Sequence, residues 1–211
     1  MSVYLNERFQ YVNEDGERYA SISQILRDVG IKKSWDKDGP PTPDVQVRID
    51  HAAWRGKEVE KHCFEIARFN FTDCPDDDEI SVRVSAFNDW WNANDLEYVS
   101  HHEIVWDEEA RVAHELDLVV LLDGKLTTVD IKCTASVEKD WGIQCGAQSG
   151  MRYGMTGEDH NMAVLHLKPQ FKKGYIYRSY GEAEPWLIAR GARIESLGLY
   201  AKAKEKIGET L

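Results

Sequence analysis

The stretch ELDLVVLLDGKLTTVDIK, residues 115–132, decides the fold. Leu118 to Leu122 is apolar without alternation, the pattern of a strand buried on both faces, and Asp123-Gly124 is a strong two-residue hairpin signal. The spacing therefore predicts two antiparallel strands joined by a tight turn. In such a turn Leu122 faces Lys125, and the same register sets Asp117 across from Asp130 and Glu115 across from Lys132. Because side chains alternate along a strand, all four are expected on one face, with opposed Cβ atoms ~5 Å apart.

Two carboxylates so placed repel each other unless something neutralises them. A hard dication with oxygen ligands is one answer, and this donor set suits Mg²⁺ or Mn²⁺ better than zinc. A surface ladder is the other, with Glu115 paired to Lys132 and the aspartates solvated. Glu60 bears on the choice. On a predicted helix through Val59, Cys63, Phe64 and Ala67 it lies beside the apolar stripe, where a lone carboxylate is costly without a partner. A cation bound at the sheet would supply one, and pairing with Arg55 or Lys61 or plain solvation is the alternative.

Outward from this hairpin the chain reads as mixed α/β, with helices before, within and after one central mixed sheet. Towards the N-terminus, Tyr11 to Tyr19 alternates around Asn13-Glu14-Asp15-Gly16 as a hairpin, and Ser21 caps a short helix ending at Gly30. A linker rich in Lys, Asp and Pro spans Lys32 to Pro43. Asp44 to Phe69 has helical spacing, as one helix or as two meeting near Gly56, and Ile80 to Asn94 reads as another helix. Tyr98 to Trp106 is a further strand. Past the hairpin a helix is expected from Glu138 to Tyr153, then strands at Met162 to Leu167 and Gly174 to Tyr180, and a C-terminal helix from Glu184 to Lys206. The expected organisation is one domain over 1–211. Residues 1–43 form the N-terminal hairpin, short helix and linker, 44–180 the core, and 181–211 the C-terminal helix.

The chain has 211 residues, 42% of them hydrophobic, enough for a full core. No run approaches ~18 apolar residues, and no basic segment precedes an apolar one at the start, so a soluble, cytoplasmic protein without a membrane partner is expected. Cys63, Cys74, Cys133 and Cys145 have neither zinc-site nor disulfide-scaffold spacing and read as reduced thiols. A net charge of −11 opposes nucleic-acid binding, except where part of that charge captures cations.

Four further features invite a functional and a bland reading. Gln144, Gln148 and Arg152 form one polar stripe, either a DNA-backbone contact or a solvated face. Gly142, Gly146, Gly150 and Gly154 keep a smooth helix face, for tight packing or for close approach to DNA. Trp54, Trp90 and Trp91 are core side chains or base-stacking platforms. The acidic run Asp76 to Glu79 is a solvated loop or a cation site.

Asp117 followed by Asp130-Ile131-Lys132 on the next strand resembles the PD-(D/E)XK nuclease superfamily. Arg55-Gly56 with Glu60, Glu103 ahead of the strands, Gln144 on the following helix and the opening Tyr19 to Leu26 are similar to its RecB-type exonucleases, particularly those encoded by phages. The likeness covers roughly residues 15 to 180. It departs where those proteins carry His in place of Glu60, Gly in place of His114 and Tyr in place of Gln148. The resemblance implies a restriction-endonuclease-like fold and a Mg²⁺- or Mn²⁺-dependent deoxyribonuclease of recombination or repair, in a bacterial cytoplasm or an infected host. Its catalytic set would be Glu60, Asp117, Asp130, Lys132 and Gln144. The metal would be held by Glu60, Asp117, Asp130 and the Ile131 carbonyl, DNA would be contacted by Gln148 and Arg152, and an annealing or strand-exchange protein would be a partner. The cysteine pattern of the iron-sulfur branch is absent, so no cluster is expected. A nuclease-like module that binds DNA or protein without catalysis is the alternative.

Overall fold

The structure, a computed structural model, describes residues 2–31, 41–73, 75–134, 138, 140–180 and 183–208. In chain order the elements are β1 (Val3–Leu5), β2 (Tyr11–Asn13), β3 (Arg18–Ser21), α1 (Ile22–Asp28), α2 (Pro43–Phe69), α3 (Asp78–Asn92), β4 (Leu96–Asp107), β5 (Val112–Leu122), β6 (Lys125–Lys132), α4 (Trp141–Thr156), β7 (Asn161–Leu167), β8 (Tyr175–Tyr180) and α5 (Ala183–Gly208). The architecture is α/β, an open mixed sheet of eight strands flanked by helices. The strands run β1-β2-β3-β5-β6-β7-β8, with β4 paired to β5.

Each element follows from local chemistry. Gly16 turns the N-terminal hairpin at φ 78°, and Ser21 caps α1 by accepting the Gln24 N–H. Of the two alternatives for Asp44 to Phe69, the structure has one unbroken helix, α2, which runs through Gly56. It starts on Pro43 and anchors its second half through Val59, Cys63, Phe64, Ile66 and Ala67, burial that outweighs the ~1 kcal/mol an interior glycine costs. Asp77 caps α3 and Glu79 pairs with Arg55 at 2.8 Å, so much of the acidic run serves the helix start. Trp90 and Trp91 are core, while Trp54 is 44% exposed beside His51. The expected linker falls largely, and Cys74 wholly, outside the described residues.

Two cores sandwich the sheet. Side chains of α2 and α3 pack on Leu118, Val120, Val129 and Ile131. Those of α1, α4 and α5 pack on Val112, Leu116 and Val119 from the other face. The glycine-lined side of α4 meets α5: a Cβ at Gly150 would touch the Trp186 ring at 4.0 Å.

Around β5 the sheet opens. β4 covers one edge of β5 along its length, so β3 and β6 share the other edge. β3 pairs there with Val112 and Ala113, and β6 with Leu118 to Leu122, which leaves residues 114–117 between them. Leu116 and Leu118, two residues apart, also contribute to opposite cores, which regular alternation forbids. The switch falls at Asp117, where the β4–β5 ladder passes over its counterpart His102, itself at φ 54° in the left-handed region.

Candidate functional site

The hairpin register is as expected, from Leu122↔Lys125 to Leu118↔Val129, and then the ladder stops. Asp117 and Asp130 come next, where the strands part. There the Asp117 carboxylate takes over from main-chain pairing: its Oδ2 accepts the Ile131 N–H at 2.8 Å. Beside it, the Glu115 N–H donates to the Tyr11 hydroxyl at 3.1 Å, so the N-terminal hairpin closes part of the gap.

Asp130 is 1% exposed and faces α4. Gln144 and Gln148, one turn apart on that helix, donate from Nε2 to the same oxygen, Asp130 Oδ1, at 2.9 and 3.1 Å. Lys132 Nζ lies 2.6 Å from Oδ2, an ion pair without hydrogen-bond alignment. Gln144 also sits 3.4 Å from His114 Nε2. One carboxylate is thus oriented by two amides and a cation.

The expectation of four side chains on one face needs correcting. Asp130 and Lys132 turn towards α4, whereas Glu115 pairs with His102 Nδ1 at 2.6 Å and not with Lys132. The left-handed turn at His102 and the skipped pair break the alternation that expectation relied on. Glu60 reaches the same region from α2, half-buried, within electrostatic range of Lys132 and Asp130.

The polar stripe on α4 is also corrected. Gln144, Gln148 and Arg152 are 5%, 1% and 6% exposed, so they form no solvated face. Arg152 is bonded to Glu103 at 3.1 Å and lies 3.5 Å from Glu158. As placed, these side chains are turned to partners within the fold. The two amides point inward because the buried Asp130 carboxylate must be satisfied, and Arg152 turns in to the partly buried Glu103.

Electrostatics concentrate here. Burial raises the Asp117 carboxyl well above its usual range, the Asp130 charge adds to the rise, and Lys132 opposes it. Burial likewise raises Glu60, with Lys132 opposing and Asp130 adding. For Lys132 burial acts downward, but Asp130 and Asp117 outweigh it and the ammonium is held charged. Buried carboxylates that resist ionisation mark sites where a cation or a proton is wanted.

The donor set is oxygen-rich and suits a hard dication in kind: Asp117, Asp130 with its poorly aligned Oδ2, and Glu60 nearby. As placed, no three His, Cys, Asp or Glu side chains converge as a metal-binding group among the described residues. Ile131 enters through its N–H, and its side chain packs in the α2/α3 core. Cys63, Cys133 and Cys145 are free thiols.

Sequence reasoning missed Tyr11 and His102. Tyr11 arrives by a pairing more than a hundred residues long in sequence, and His102 sits inside a strand whose pattern gives no sign of a left-handed residue. No described helix is long and apolar enough to cross a membrane. No family model matches the sequence, and no curated protein is similar to it.

Proposed function

We propose that this chain is a divalent-metal-dependent nuclease of the PD-(D/E)XK type that hydrolyses DNA phosphodiester bonds, acting as an exonuclease in phage or bacterial recombination or repair. The observation that carries this reading is the half-buried Asp117 beside the buried Asp130 at the parting of β5 and β6, with Lys132 2.6 Å from Asp130. Two adjacent carboxylates largely withdrawn from water are costly, and retaining both makes sense where a cation is to be bound.

Asp117, Asp130 and Glu60, with the Ile131 carbonyl, would hold Mg²⁺ or Mn²⁺. Bound there, such an ion polarises a phosphoryl oxygen and lowers the pKa of an attacking water. Gln144 and Gln148 fix the Asp130 rotamer, so the carboxylate is oriented before substrate arrives. Lys132, kept charged by its two acidic neighbours, is suited to stabilise negative charge developing on the phosphate and poorly suited to take a proton. DNA and an annealing or strand-exchange protein are the partners this reading implies.

A second reading, a nuclease-like binding module without catalysis, is favoured by the engagement of Asp130, whose Oδ1 takes two amides and whose Oδ2 faces the Lys132 ammonium. One assay separates the two: digestion of circular plasmid and of linear single- and double-stranded DNA in Mg²⁺, Mn²⁺ or EDTA. Metal-dependent cleavage that Asp130→Ala lacks supports the enzyme, and binding without cleavage under every condition supports the module.

A further inference from the structure

We propose that the exposed face of α2 is a track for a single nucleic-acid strand, its phosphates on Lys57, Lys61 and Arg68 and a base on Phe69, leading to Glu60. The inference takes its ligand class from the nuclease reading but rests on separate observations.

A groove of about 480 Å³ runs between α2 and the β4–β5 strands, floored by Phe64, His101 and His102. The Phe64 ring stacks on His101 at 4.9 Å and meets His102 edge-on at 4.8 Å, which fixes the floor. Lys57, Lys61 and Arg68 fall within one narrow stripe of the helix along this groove and span ~16 Å of its axis.

In a chain of net charge −11, these three cations line one groove. Five other basic side chains are ion-paired: Arg55 to Glu79, Arg111 to Glu17, Arg152 to Glu103, Arg190 to Asp107 and Lys132 to Asp130. Lys57, Lys61 and Arg68 are exposed and have no carboxylate partner among the described residues. Their contacts are with rings, Lys57 over Phe9 at 5.8 Å and Arg68 over Phe69 at 5.0 Å.

The acids in the groove are turned to other partners. Glu65 accepts from Thr72 at 2.5 Å and lies 3.4 Å from His62, Glu115 is taken by His102, and Glu60 lies towards Lys132. Along the groove this leaves three cations without a carboxylate partner among the described residues, beside an aromatic ring 64% exposed at one end. Spaced cations with a stacking platform are the means by which proteins hold single strands irrespective of sequence.

The test is fluorescence anisotropy of an end-labelled oligothymidylate over a range of KCl concentrations in Ca²⁺. It compares the wild-type protein, Lys61→Gln, the triple variant Lys57→Gln/Lys61→Gln/Arg68→Gln, Phe69→Ala and Asp130→Ala. Each neutralised phosphate contributes ~0.7 to the slope of log K against log salt, so the triple variant should lose about 2 from it and Lys61→Gln roughly 0.7. Phe69→Ala should weaken binding roughly tenfold with its slope unchanged. An unchanged slope in both charge variants overturns the track. So does preferential binding of a hairpin duplex, or displacement of the oligonucleotide by polyglutamate of equal charge, which would make the ligand an acidic peptide. If the slope falls as expected while no DNA is ever cleaved, the track stands and the nuclease reading fails. If the triple variant keeps its slope while the wild type cleaves DNA, the track alone fails.

Discussion

The carboxylate of Asp117 accepts the main-chain N–H of Ile131 at 2.8 Å just where the β5–β6 ladder ends, so an acidic side chain serves as the last rung of the sheet. The same side chain is held well above its usual 3.8 by burial and by Asp130. Structural and functional demands on it conflict: burial favours the neutral acid, and a metal would need the charged carboxylate.

The first prediction follows from that conflict. An acid whose pKa is higher in the folded than in the unfolded chain binds more protons when folded, so its ionisation destabilises the fold as pH rises above the unfolded value. In EDTA the thermal midpoint should therefore fall as pH increases from ~4 through the raised Asp117 pKa. Asp117→Asn keeps an oxygen for the Ile131 N–H and removes the charge, so it should flatten this slope and unfold no earlier than wild type at pH 8. Melting curves across pH check this, and a variant less stable than wild type at pH 8 contradicts it.

A second prediction concerns the two amides on Asp130. Hydrogen bonds to a charged group contribute roughly 1.5–3 kcal/mol each, and Gln144 and Gln148 donate to one oxygen. Gln148→Leu should cost about 1–2 kcal/mol, since Gln144 and Lys132 still serve the carboxylate. Removal of both amides should cost more than the sum, because the buried charge loses its last aligned donors. Denaturant midpoints of the two single variants and the double variant measure the coupling, and strict additivity would falsify the shared-acceptor account.

Much of this arrangement was legible in the sequence. Asp123-Gly124 fixed the register, and the apolar run fixed a strand buried on both sides, so the neighbourhood of Asp117 and Asp130 follows from local signals. What local signals do not carry is the second edge of β5. There β3 pairs with only two residues from far away in sequence, and the gap this leaves is what admits Tyr11 and frees Asp117. Periodicity also cannot distinguish a polar stripe facing water from one facing a buried carboxylate, which is why Gln144, Gln148 and Arg152 pointed outward in the sequence and inward in the fold.

Third, if the chain cleaves DNA, Lys132 acts as a fixed cation. Lys132→Ala should lower the rate by roughly 10²–10³-fold at saturating metal, the range found when one electrostatic stabiliser is removed. Because the ammonium is held charged well above neutrality, the rate between pH 7 and 9 should show no step from its deprotonation. Single-turnover rates against pH decide this, and a lysine-dependent rise in that interval would make Lys132 a base instead.

The last prediction concerns Glu60, the acid that comes from a helix and not from the paired strands. It is half-buried on α2, raised by burial, and near both Lys132 and Asp130, so it is placed to complete an oxygen set that Asp117 and Asp130 begin. Glu60→Gln should weaken metal affinity without dismantling that pair, and high metal concentration should restore part of the cleavage rate. Asp130→Asn should not be rescued, because the oxygen it alters is the one that Gln144, Gln148 and Lys132 hold in place. Glu60→His exchanges a hard oxygen for a borderline nitrogen and should shift the preference from Mg²⁺ towards Mn²⁺. Cleavage rate against the concentration of each ion, measured for the three variants, makes the comparison. Identical metal curves for wild type and Glu60→Gln would remove Glu60 from the site and leave its elevated pKa a consequence of burial alone.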